Sequence, residues 1–150
     1  MKNSRLPIQV LVFPYYFDCD SNSFAYCLFK RKDLKVWQGI AGGVESDETI
    51  EFAANREARE EAGIAKGKIM ALDTVCSMPS IAIKSDFLDK NILIIKEYSF
   101  GIEATSKDIN ISDEHLQYEW FTYNDAKEKL FWDSNKTALW ELDYRLTHKI

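Results

Sequence analysis

The stretch Gly42-Gly43-Val44-Glu45-Ser46-Asp47-Glu48, followed after seven residues by Arg56-Glu57-Ala58-Arg59-Glu60-Glu61-Ala62-Gly63-Ile64, decides how the whole chain is read. From Thr49 to Ala62 the apolar and small residues Ile50, Ala54, Ala58 and Ala62 recur every four positions, which predicts a helix. Thr49 suits its N-cap and Gly63 its left-handed C-cap. At about 100° per residue, Glu57, Glu60 and Glu61 fall within one stripe roughly 100° wide. Three carboxylates therefore share one patch.

A row of charges on a helix is usually a solvated face, and Arg56 can pair with Glu60 at i,i+4. Glu57 and Glu61, however, repel at that same spacing. A hard divalent cation resolves the conflict, because magnesium takes oxygen ligands and typically combines a few carboxylates with substrate phosphates. Gly42-Gly43, expected in a loop before the helix, lets backbone approach closely or take a positive φ, bringing carbonyl or amide groups beside the helix.

Together these residues match every fixed position of the Nudix box: Gly, five residues, Glu, seven residues, Arg-Glu, apolar, any, Glu-Glu, any, Gly, apolar. Seven fixed residue types give a chance match of order 10⁻⁶ over a chain of this length. The sequence therefore resembles the Nudix hydrolases. That resemblance implies an α+β fold, an α/β/α sandwich with a mixed β-sheet. It implies Glu57, Glu60 and Glu61 as magnesium ligands (manganese being the other candidate ion), with the Gly42 carbonyl nearby and Arg56 and Glu48 orienting Glu57. Asp47 departs from the glycine common in the family; Asp tolerates the left-handed conformation better than most residues.

Working outward, Ile8 to Phe17 and Ser23 to Lys30 predict two strands of a hairpin around the turn-forming Asp18 to Asn22. Lys68 to Ser77 and Ile92 to Glu103 predict strands, the second opening on Ile92-Leu93-Ile94-Ile95, a run that predicts burial on both faces. Glu119-Trp120-Phe121 predicts a short strand. Asn124 to Leu130 and Lys136 to Thr147 predict helices, with Leu139, Leu142 and Leu146 in one stripe flanked by Trp140 and Tyr144.

Three further patches resemble the Nudix branch that hydrolyses dihydroneopterin triphosphate and dATP: Trp37-Gln38, Glu114-His115-Leu116 with Tyr118 and Trp120, and Trp132 with Ser134-Asn135. The Glu-His, Tyr and Trp spacing also resembles diadenosine polyphosphate hydrolases, but there Phe-Pro-Lys-Gly precedes the glutamate, whereas here Gly39-Ile40-Ala41-Gly42 does. The resemblance implies a pyrophosphohydrolase releasing monophosphate and pyrophosphate, with Glu57, Glu60, Arg56 and Glu114 as catalytic candidates. Substrate-binding candidates are Arg31, Trp37, Tyr118, Trp132, Ser134 and Asn135. The aromatic residues have an ordinary alternative as core packing. Arg31, in Lys30-Arg31-Lys32, has one as a solvated strand end, and His148 is expected at the surface. A non-catalytic nucleotide sensor of the same fold would be expected to have an eroded box, and this one is intact.

At 150 residues, 46% apolar and 29% charged, the chain has the size and balance of one globular domain, 1–150. A net charge of −5 argues against a nucleic-acid surface built on clustered Lys and Arg. The partner expected is a small nucleotide-like molecule, bound by a monomer or homodimer. Cys19, Cys27 and Cys76 form no CxxC pair, and an odd count fits reduced thiols in a cytoplasmic protein. The N-terminal segment, from Met1 into Ile8 to Phe13, is too short to span a membrane and lacks a small-residue cleavage site, so neither a targeting signal nor a membrane partner is expected.

Overall fold

The computed structural model describes residues 4–65, 67–83 and 88–150. Met1 to Asn3, the start of the segment expected to carry no targeting signal, lie outside the described residues. Seven strands, β1 (Arg5–Asp18), β2 (Ser23–Arg31), β3 (Trp37–Gln38), β4 (Ile40–Glu45), β5 (Ile69–Pro79), β6 (Ile94–Glu103) and β7 (His115–Phe121), form one sheet. The helices are α1 (Ile50–Ala62), α2 (Tyr123–Lys129) and α3 (Asp133–His148). None is long and apolar enough to cross a membrane.

The long central strand β1 organises the sheet. Its first part pairs antiparallel with β4, its end pairs with β2, and its other edge runs parallel to β6 from Ile8↔Lys96 to Tyr15↔Glu103. One parallel seam among antiparallel ones makes the sheet mixed. Strand alternation then sorts side chains to two faces. Val10, Val12, Cys27, Phe29, Phe100 and Ile102 pack with Ala54, Ala58 and Ala62 of α1. Leu11, Phe13, Tyr26 and Leu28 pack with Ala126 of α2 and Leu139 and Leu142 of α3. The result is the expected α/β/α layering of an α+β fold.

The ends of α1 form as their residues dictate: Thr49 accepts from Phe52 N at 3.1 Å, and Gly63 takes φ 72°. Elsewhere three expectations fail. Gly42-Gly43 lie in strand β4 rather than a loop, and only Gly63 among the described glycines has positive φ, so the pair serves close approach alone. Asp47 likewise needs no left-handed conformation. In the run Ile92 to Ile95 only Ile95 is buried, with Leu93 74% and Ile94 55% exposed. Ladder pairing begins at Pro79↔Ile94, so the run is the projecting tip of the β5–β6 pair and not a strand covered on both faces. Two elements also start earlier than expected, β7 at His115 and α3 at Asp133.

Candidate active site

The site grows from the contact between β4 and α1. A Cβ on Gly42 would sit 2.1 Å from Glu57 Cδ, so only glycine leaves room for that carboxylate against the strand. On the opposite side of the strand, a Cβ on Gly43 would meet Arg5 Nε at 2.5 Å. Arg56 then ties the pieces together. Its Nε and Nη2 donate to Glu48 at 2.6 and 2.9 Å, Nη1 to Glu57 at 2.9 Å and Glu60 at 3.2 Å, and Nη2 also to the Gly43 carbonyl at 2.9 Å. Glu48 in turn accepts from Glu45 N at 2.9 Å, which closes the connection into the helix.

The electrostatics differ among the carboxylates. Burial raises Glu57 to about 7, with Glu60 and Glu61 adding to the rise and Arg56 opposing it. Burial also pushes Glu61 upward, but His115, Ser112 and Glu114 outweigh it and the net shift is downward. The Ser112 hydroxyl donates to Glu61, and His115 Nδ1 lies 3.3 Å from the same oxygen. Glu60 remains half exposed. Glu114 faces the group from the segment before β7, its carboxyl pushed up by burial and by the Glu61 charge.

Among the described residues no three His, Cys, Asp or Glu side chains already converge as metal ligands. Glu57 leans to Arg56 and Glu61 to Ser112, which divides the three. The donor set nevertheless suits a hard divalent cation: Glu57, Glu60 and Glu61 present carboxylate oxygens from one helix face, and the glycine cradle holds the buried Glu57 beside backbone. A cation there would relieve the repulsion from Glu60 and Glu61 that adds to the effect of burial on Glu57.

The other candidates divide between two faces. Tyr118 packs on the α1 side, while Trp37 meets Phe121 edge-on at 5.6 Å on the α3 side. Trp132 Nε1 donates to Gln38 Oε1 at 2.9 Å, and buried Asn135 accepts from Gly39 N at 2.9 Å, so its carbonyl is committed to backbone. Ser134 lies beside it at the start of α3. Arg31 makes a two-pronged pair with Asp33. One ring cannot stack on Tyr118 and on Trp37 together. The Ser112 and His115 contacts to Glu61, and Arg5 behind Gly43, were not anticipated. Ser112-Asp113-Glu114-His115 is a local cluster whose closeness to Glu61 no spacing announces; Arg5 carries no signal at all.

The NUDIX domain family profile matches residues 16–140. A Listeria monocytogenes protein assigned as a Nudix hydrolase is 37% identical, with TM-score 0.85 over 96% of this chain and 97% of that one. The Escherichia coli dihydroneopterin triphosphate pyrophosphohydrolase is 24% identical with TM-score 0.77, covering 96% and 99%. A Caenorhabditis elegans Ap4A hydrolase is 19% identical with TM-score 0.69, covering 94% and 98%. These last two likenesses show the fold alone. No curated protein matches the sequence.

Proposed function

Because the chain belongs to the Nudix family and is a hydrolase of phosphorus-containing anhydrides, we propose that it is a magnesium-dependent pyrophosphohydrolase. Its substrate is a nucleoside or pterin triphosphate of the dATP or dihydroneopterin triphosphate type, split to monophosphate and pyrophosphate. The observation carrying this reading is the lock of Arg56 on Glu48, Glu57 and Glu60 beside Gly42, with Glu61 on the same helix face. The whole chain acts as one domain in this reading.

Glu57, Glu60, Glu61 and the Gly42 carbonyl would hold the ion, which when bound neutralises phosphate charge and acidifies water. Arg56 keeps Glu57 in place through a planar fork. Glu60 or Glu114 would take a proton from the attacking water, a reading supported by the exposure of Glu60 and by the raised carboxyl of Glu114. His115 and Ser112 draw the Glu61 carboxyl down against the effect of burial. Gly39-Ile40-Ala41 before the box favours the triphosphate over a dinucleoside polyphosphate.

Substrate loss and the products formed should be measured for dihydroneopterin triphosphate, dATP, diadenosine tetraphosphate and a nucleotide sugar at one magnesium concentration, with pyrophosphate expected from the triphosphates. The triphosphates should give the higher kcat/KM, and Glu60→Gln should lower kcat by about 10²-fold or more with little change in Tm. Preference for the dinucleotide with ATP as product would overturn the substrate; magnesium-independent binding without turnover would make the protein a sensor.

A further inference from the structure

The sheet face opposite α1 carries a second polar cluster that the carboxylate site leaves unused. Glu97 on β6, 3% exposed, stands in register with Gln9 on β1 and Cys76 on β5. Gln9 Nε2 donates to Glu97 Oε2 at 2.7 Å, and the amide is oriented by Arg5 Nη2, which lies 3.4 Å from its oxygen. Glu97 Oε1 is buried and has no hydrogen-bond partner among the described residues. Burial raises the carboxyl, opposed by Gln9 and by the nearby Ser134 hydroxyl. A buried acceptor left without a hydrogen bond is costly and rare; the Ser134 hydroxyl is near the carboxyl without bonding Oε1, so that oxygen is open to a further donor.

The position connects to the carboxylates across the sheet. Glu97 is beside Gln9, Gln9 is paired with Gly43, and the Gly43 carbonyl holds Arg56. Two strand spacings, about 10 Å, separate Glu97 from β4. The outer edge of β4 pairs with no strand among the described residues, so a ligand can pass from one face to the other there. Ser134, partly exposed, faces the cluster from the start of α3.

We infer that Glu97 is a specificity-determining residue that accepts from two adjacent N–H groups on the substrate ring, the amino and ring N–H of the 2-amino-4-oxo edge shared by guanine and pterins. Gln9 and Arg5 are positioning residues. An ionised carboxylate is acceptor-only, and the Gln9 bond leaves Oε1 and a further lone pair of Oε2 to meet two parallel donors. Adenine offers a donor beside an acceptor, and hypoxanthine lacks the amino group. This assignment rests on the reading of the chain as a hydrolase of ring-bearing triphosphates.

The test compares GTP, ITP, ATP and dihydroneopterin triphosphate, by kcat/KM in the wild-type enzyme and by equilibrium binding with magnesium in the Glu60→Gln protein. GTP or the pterin should be favoured over ITP and ATP by at least about tenfold. Glu97→Gln should erase that ratio mainly through KM, and Gln9→Met should reduce it. If the pterin leads GTP, the edge belongs to a pterin; the reverse makes it guanine. Equal handling of GTP and ITP by the wild type, or an unchanged ratio in Glu97→Gln, overturns the assignment. Should Glu97→Gln fail to fold, the wild-type GTP to ITP ratio decides. Selective binding without pyrophosphate release would refute the hydrolase reading and leave Glu97 standing.

Discussion

Arg56 directs all its donors inward, to three carboxylates and one carbonyl. Lysine has the same charge but a single compact head, so Arg56→Lys should lower kcat/KM at least about tenfold while circular dichroism stays unchanged. An unaffected rate would show a merely solvated residue. Gly42→Ala is expected to act differently, by forcing Glu57 off the strand; chemical denaturation should show a loss of about 1–3 kcal/mol together with lost activity. The glutamate patch was legible from spacing alone, since helical geometry fixes which residues share a face. The contacts of Ser112 and His115 with Glu61 were not, because Ser112 lies 51 positions from it and His115 further still.

At the scale of elements, caps read well and apolar runs read poorly. A cap is local chemistry, and Thr49→Ala should cost about 1 kcal/mol in a denaturant titration. Burial of a strand depends instead on what covers it, which is why Ile92 to Ile94 look like core and stand outside it. β4 was missed as a strand because two glycines weaken the pattern where a helix side chain must approach. The bulge in β5 between Ala71 and Val75 shows a further device: Asp73 N and Thr74 N, freed from the ladder, donate to Glu141 of α3 at 2.6 and 2.8 Å. Burial pushes the Glu141 carboxyl up, but Thr74, Asp73 and Arg145 outweigh it and hold it below its ordinary value of 4.5. A depressed carboxylate stabilises the fold above its unfolded pKa, and that share is lost as pH falls through the folded value. Glu141→Gln should therefore cost about 1.5–3 kcal/mol at neutral pH and flatten the acid limb of a stability profile below 4.5. A parallel shift at every pH would count against this.

For the molecule as a whole, the mixture of strands and helices followed from the order of elements and the layering from the family resemblance, but the strand order from neither. Nothing local announces that β1 neighbours β6, since that seam joins Ile8 to Lys96. It also sets a timetable. During synthesis the edge of β1 that meets β4 can be satisfied once Glu45 has emerged, while its opposite edge waits for residues 94–103. Until then a long apolar strand carries an open row of amides and carbonyls, the condition in which chains stick to one another. Chains truncated after Asn91 should therefore aggregate from the ribosome onward, whereas those extended past Glu103 should begin to resist proteolysis, a difference that limited digestion of a length series would display.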